Sequence, residues 1–384
     1  MSRDNSRWRT RVGSSVCAII LALVTIHFYR APFWDLDMLG YMGNARLNET
    51  VDPIKLHDLV YSELQSSVPS TAFGYLTGAP GEPDQMGSKH ERLVNAYHYA
   101  EFLPCFAIRP MYNQTIYWLS RTGIGLVRSI RLVSALSYYL WGILILIWLG
   151  RYTPYSPLVA LLIMLLPPIS LLARYTAADS LSVLLGMLAL FIVFECDRVA
   201  LGLGILLAAI WFRTDNVVLI APVLVVLWRQ RRLELWKAMV LATISVLSVL
   251  VINYAAGDYG IQMLYYRNFL GTPLAPGEMI VQFTARQYLR FFLAGFKSML
   301  NSYVPLFLVL GLIGLNRKTA PLLAVAITYA GLHYLTLPNW MDRWMAILYL
   351  LTCMTAAYCV RLDAAVSQAT EDIGMMLPSG RAAA

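Results

Sequence analysis

The 384-residue chain is 58% hydrophobic, only 14% charged, and has a mean hydropathy of +0.59. A water-soluble surface of this size does not carry so much apolar material, which excludes a soluble enzyme and requires much of the chain to face lipid. The net charge of +8 calls for no nucleic-acid partner, because arginines that set membrane topology beside anionic headgroups explain much of it.

In chain order, apolar blocks run at 13–30, 131–150, 155–173, 180–196, 199–212, 216–229, 236–255, 302–316, 320–336 and 344–360. A bilayer core of roughly 30 Å takes about 20 apolar residues as a helix, so the blocks predict an all-α polytopic bundle of about ten transmembrane helices. Arg3, Arg7, Arg9 and Arg11 precede the first block, and Arg151, Arg198, the run Arg229, Arg231, Arg232 and Lys237, Arg317 with Lys318, and Arg361 fall at every second junction. Positive charge stays inside, so both termini are expected on the cytoplasmic side. The first block has no small-residue cleavage site before Arg30 and Pro32 and reads as an uncleaved anchor. The expected organisation is a transmembrane domain over 1–361 and a cytoplasmic tail over 362–384.

Between the first two blocks, 31–130 forms a long first extracytoplasmic loop. Its segments 35–47 and 91–120 have the mixed spacing of helices lying on the bilayer surface, and Pro69 to Asp84 is a Gly/Pro-rich irregular loop. Segment 104–120 is too polar to cross, with Arg109, Pro110, Asn113 and Gln114 in its first half. The triplets Asn48-Glu49-Thr50 and Asn113-Gln114-Thr115 match the glycosylation acceptor pattern, which is short and common. Of five cysteines, Cys17, Cys196, Cys353 and Cys359 lie in or at the ends of apolar blocks and Cys105 lies alone in the loop. That spacing suits neither a disulfide framework nor a thiolate metal site.

Just past the first helix, Phe33-Trp34-Asp35-Leu36-Asp37 sets two carboxylates at the outer boundary. Carboxylates so placed suit a divalent cation or a general base acting on a hydroxyl, while an isolated Asp-x-Asp is also the composition of a solvated turn. On the same predicted side stand Arg174 and Asp179, Arg213 and Asp215, and Asp342 with Arg343. Each alone suits a helix end, where it caps or snorkels. Together they are the inventory for a metal and a phosphate-bearing ligand. A second outer segment, 256–301, carries Tyr265 to Pro273 and then Arg286, Arg290 and Lys297 among aromatics, a composition suited to lipid phosphates or to an interfacial helix. His57, His90, His98 and His333 show no ligand spacing and read as loop or interface residues.

This order of features resembles the GT-C superfamily of membrane glycosyltransferases, which includes protein O-mannosyltransferases and the lipid A aminoarabinose transferase. The marks are Trp34-Asp35-Leu36-Asp37 with Tyr41, Arg109-Pro110-Met111-Tyr112, Gly125 to Ser134 through Arg128 and Arg131, Arg174 to Leu181, Phe212-Arg213-Thr214-Asp215, and Tyr265 to Pro273. The chain departs from the pattern at Ile108, where the family often has an acid, at Thr214, where it has Pro, and at Arg267 and Asn268, where it has Gly. Glu101 or His98 is the available replacement for the missing acid.

The resemblance implies a polyprenyl-phosphate sugar donor, membrane lipids as surroundings, and a glycan, lipid or protein acceptor. It implies Asp35 or Asp37 as general base, a divalent cation (Mg2+ or Mn2+) held by Asp35, Asp37 and Asp179, and no nucleotide or haem. Arg174, Arg213, Arg267 and Arg343 are the implied phosphate partners, with Asp215 in support. The implied location is a bacterial inner membrane with the active face extracytoplasmic. The competing expectations are a scaffold subunit that has lost the chemistry, or a lipid-linked sugar transporter or flippase.

Overall fold

The computed structural model describes residues 3–78, 88–257, 284–338 and 341–358. The regular structure of these residues is helical, with no strand among them beyond one isolated bridge between Phe33 and Tyr175. Among the described residues, three helices are long and apolar enough to cross a membrane, at Val12–Arg30, Leu126–Gly150 and Leu235–Ala255, and counting each of two bent pairs as one span raises that number to five. Shorter apolar helices lie at Asp179–Phe194, Val199–Phe212 and Ala320–Thr336.

The chain opens with α1 (Arg3–Arg30) and then folds its first loop into α2 (Asp37–Arg46), α3 (Pro53–Ser67), α4 (Ser70–Thr77), α5 (Ser88–Val94), α6 (Ala96–Phe102), α7 (Pro104–Ala107) and α8 (Pro110–Leu119). Local chemistry sets these starts. Asp52 accepts from the Ile54 amide and Asn95 from the Tyr97 amide, while Pro53, Pro104 and Pro110 each open a helix where no amide donor is needed.

In the first loop, the expected helices over 35–47 and 91–120 are present, whereas part of the stretch expected to be irregular is helical. Its helices bury a common core in which Tyr41, Tyr99, Phe106 and Tyr112 are each at most 1% exposed, and α4 occupies much of the expected irregular segment. Gly78 closes α4 in the left-handed conformation at φ 65°, which glycine adopts without a Cβ clash. At Gly40 on α2, a Cβ would meet the Phe106 ring at 2.1 Å, so glycine is what lets α2 close on α7. The loop tyrosines turn inward, where Tyr99 donates to the Leu39 carbonyl at 2.7 Å.

A kinked turn through Gly123 and Gly125 then leads into α9 (Leu126–Gly150). Next come α10 (Ser156–Leu165) and α11 (Pro167–Ser170), bent by 73° at the Pro167-Pro168 pair, where the ring removes the amide that would continue the helix. After these run α12 (Asp179–Phe194), α13 (Val199–Phe212), α14 (Val217–Arg229), α15 (Leu235–Ala255), α16 (Ala285–Leu300), α17 (Val304–Ile313), α18 (Ala320–Thr336) and α19 (346–358). The second core lies among these helices. α9 is 67% buried over its apolar window, whereas α1 and α15 are 17% buried and present their apolar sides outward.

Candidate functional site

The segment after α1 runs beside the segment before α12, and backbone pairing joins them. The Phe33 amide donates to the Arg174 carbonyl at 2.8 Å, the Asp35 amide donates to Thr176 Oγ1 at 3.0 Å, and Arg174 Nε donates to the Ala31 carbonyl at 2.8 Å. Ser134 on α9 holds the other side through the Ala177 carbonyl at 3.1 Å. This pairing brings Asp35 and Asp37 beside Asp179, although 141 residues lie between Asp37 and Asp179 in the chain.

Arg343 enters the same place from the 3-10 turn before α19. Its Nη1 lies 2.6 Å from Asp35 Oδ2 and 3.9 Å from Asp179 Oδ2, and its Nη2 lies 3.6 Å from Asp37 Oδ2. Asp35 Oδ1 also accepts the Asp37 amide at 3.1 Å. Both oxygens of Asp35 are therefore engaged. The guanidinium further sits over the Tyr175 ring, 5.2 Å from its centroid.

The C-terminal end of α13 supplies the next layer. Arg213 Nη1 donates to Asp179 Oδ1, and its Nε lies 2.8 Å from Asp215 Oδ1 without the alignment of a hydrogen bond. His333 on α18 places Nε2 3.5 Å from Asp215 Oδ2. Arg109 stands over the Tyr41 ring at 5.4 Å and shares the field of Asp37 and Asp215. Four carboxylates thus face three guanidinium groups and one imidazole, and the cluster is mostly withdrawn from solvent: side-chain exposure is 5% for Asp179 and 17% for Asp35.

Burial and the charge of Asp37 raise the Asp35 carboxyl above its usual range, against the opposing pull of Arg343. Burial also opposes ionisation of Asp215, but Arg213 outweighs it, with His333 and Arg109 contributing, and holds that carboxyl well below the usual range. Arg343 is raised because Asp37 and Asp35 overcome the cost of its burial. Burial pushes the Tyr41 phenol up to about 12.

Beside this cluster lies a cavity of about 260 Å³, lined by Phe28, Pro167, Ser170, Arg174, Tyr303 and Asp342 among others. Its wall is apolar where α1 and the α10–α11 bend supply it. Arg174 and Asp342 give it one cation and one anion.

The expected residues divide clearly. Asp35, Asp37, Asp179, Arg213, Asp215 and Arg343 share one network, and Arg174 lines the adjoining cavity. His98 instead faces Glu91 at 3.7 Å, and Glu101 is exposed on the same short helix α6. Arg267 lies outside the described residues, as do Cys359 and the tail. Asn113 is buried and donates to the Phe106 carbonyl at 3.0 Å, so its triplet offers no accessible acceptor. His333 is 3% exposed within α18, not a loop residue. His333 and Arg109 are members that sequence reasoning missed as site residues. The signal for His333 was a lone imidazole in the last turn of an apolar helix, and for Arg109 a cation before the Pro of α8.

A divalent cation does not fit this arrangement. The carboxylates of Asp35, Asp37 and Asp179 surround the Arg343 guanidinium and not a shared point, and no group of three His, Cys, Asp or Glu among the described residues is set to hold a metal ion. Comparison of the chain with models of protein families, with curated proteins and with solved structures finds no match in any of the three.

Proposed function

We propose that the chain is a membrane glycosyltransferase that moves a sugar from a polyprenyl-phosphate donor to an acceptor hydroxyl on the extracytoplasmic face of a bacterial inner membrane. In this reading α1, α9, the α10–α11 pair, α12, α13, α14, α15, α17, α18 and α19 make the ten crossings, with both termini cytoplasmic. The observation that carries it is the meeting of Asp35, Asp37 and Asp179 with Arg343 and Arg213 beside a cavity that holds Arg174. A withdrawn carboxylate pair suits a base, and guanidinium groups suit a leaving phosphate.

The proposed step is a single displacement. Asp37, which Arg343 reaches only at 3.6 Å, takes the acceptor proton while the acceptor oxygen bonds to the anomeric carbon. The bond from that carbon to the donor phosphate oxygen breaks with its electron pair, and polyprenyl phosphate leaves with inversion at the sugar. Asp35, bound at both oxygens, orients Arg343. Arg343 and Arg174 offset the charge that gathers on the phosphate. The apolar wall of the cavity suits the first prenyl units.

A scaffold role is the second reading, favoured by the arginine partners of Asp35 and Asp179, which also describe a purely structural ion network. Incubating the purified chain in proteoliposomes with radiolabelled polyprenyl-phosphate sugars and crude membrane acceptors separates the two. The transferase reading predicts a labelled product of inverted anomeric configuration. Absence of transfer with every donor sugar supports the scaffold.

A further inference from the structure

α16 contributes no residue to the charged cluster, and among the described helices it is the one that opens on a full reciprocal cap. Thr284 and Gln287 form a reciprocal cap at its start, with the Gln287 amide donating to Thr284 Oγ1 at 3.3 Å. Tyr288 donates to the Leu335 carbonyl at 2.5 Å and Tyr334 donates to the Phe292 carbonyl, which ties the helix to the end of α18. At Gly295 a Cβ would meet the Pro338 carbonyl oxygen at 2.4 Å, so the contact side approaches to backbone distance. Its rotation about its own axis is therefore fixed.

With rotation fixed, the other sides have defined directions. At about 100° per residue, Gly295, Tyr288 and Phe292 mark the protein side, and Leu289, Leu293, Phe296 and Leu300 fall together on the next arc. Those four are 43% to 59% exposed. Arg286, Arg290 and Lys297 occupy the arc beyond, centred about 70° from the apolar one, and all three are exposed. Residues 284–301 contain no Asp or Glu. The sequence of sides is protein, apolar, cationic.

The axis has a matching direction. α16 is bent by 64° from the apolar helix α17 across the break at 301–303. With α17 crossing along the bilayer normal, as in the proposed function on which this placement rests, α16 lies nearer the plane of the bilayer than its normal. Its apolar arc then meets acyl chains and its adjoining cationic arc meets the level of the lipid phosphates.

We propose that α16 is a binding surface for anionic phospholipid headgroups, with Arg286, Arg290 and Lys297 on the phosphates and Leu289, Leu293, Phe296 and Leu300 on the upper acyl chains. The apolar arc selects a lipid over a free phosphate, and the uncompensated charge selects anionic over zwitterionic lipid. An exposed cation near an anionic surface contributes roughly fivefold in affinity, so three contribute on the order of a hundredfold.

The test uses the full chain in mixed micelles with equimolar phosphatidylglycerol and phosphatidylcholine, counting retained lipids by native mass spectrometry. The wild type is expected to retain phosphatidylglycerol over phosphatidylcholine by well over tenfold, and the triple variant Arg286→Gln, Arg290→Gln, Lys297→Gln to lose at least tenfold of that preference. An Arg286→Lys, Arg290→Lys variant is expected to keep it, and all three proteins are expected to melt alike because the changed side chains are exposed. Equal retention of both lipids by the wild type, or an unchanged preference in the triple variant, overturns the proposal. Displacement of the lipid by millimolar inorganic phosphate alone overturns the assignment to a lipid. Transfer activity is not read, so the outcome is independent of the proposed chemistry.

Discussion

The helices of the membrane-sized bundle and the helices of the first loop both bury apolar cores, but they are held by different means. In the bundle, α1 and α15 turn most of their apolar surface outward and α9 collects the packing. In the loop, short helices bury aromatics against one another and are tied across the core by side-chain hydrogen bonds, as where Asn44 Nδ2 donates to the Gly40 and Leu103 carbonyls, each at 2.8 Å. The candidate site sits where the two meet, with Asp35 and Asp37 at the loop's start and Asp179, Arg213 and Arg343 at helix ends of the bundle. The loop therefore contributes a pair of carboxylates and the bundle the guanidinium groups that face them and Asp179. Neither half is complete alone.

The junction should be the most sensitive place. Arg213→Ala leaves Asp179 without its closest partner in a buried setting and is expected to destabilise by about 3–5 kcal/mol, read from thermal unfolding in detergent. Loss of less than 1 kcal/mol would show that water reaches Asp179 freely and that the two regions are loosely joined. Within the loop, Gly40→Ala drives a methyl into the Phe106 ring and is expected to cost about 1–3 kcal/mol by the same measurement. On the bundle's outer side, Leu247→Ala alters a side chain that is 52% exposed and is expected to stay within about 0.5 kcal/mol. A cost at Leu247 as large as at Gly40 would erase the distinction between the regions.

Two smaller effects concern charge. The folded protein holds the Asp35 proton more tightly than the unfolded chain does, because burial and Asp37 raise its carboxyl. The ionised form therefore penalises folding at neutral pH, and the penalty fades as pH falls through the raised value. Transfer is expected to depend on pH in the opposite sense, because Asp35 must be ionised to hold Arg343 over the leaving phosphate, so its acid limb lies above the ordinary aspartate range. An acid limb at the ordinary aspartate value would remove Asp35 from that role. Chelation by EDTA is expected to leave transfer unchanged, since Arg343 stands where a cation would sit among the three carboxylates. Loss of transfer on chelation, restored by Mn2+, would contradict that placement.

The sequence made some of this legible. Long apolar runs such as 236–255 and the Pro167-Pro168 break depend on local composition, and both appear in the fold. Helix was legible over 35–47 and 91–120 from mixed spacing, but the loop core was not, because spacing within short helices does not tell which of them pack on one another to bury Tyr99 and Tyr112. Asp35, Asp37 and Asp179 stood out as acids at helix ends. What composition does not encode is the pairing of Phe33 with Arg174, which places them together, or the position of Arg343 between them. His333 and Arg109 were hidden for the same reason: each is ordinary in its own segment and acquires its neighbours only through contacts across the chain.

The most direct test compares Asp37→Asn with the unmodified chain, matched for thermal stability, in proteoliposomes supplied with the polyprenyl-phosphate sugar that the unmodified chain uses. A general base contributes about 10²–10⁴-fold, so transfer should fall by at least a hundredfold while donor binding changes little. Undiminished transfer by Asp37→Asn would contradict the account, and the cluster around Arg343 would then be a structural joint between loop and bundle.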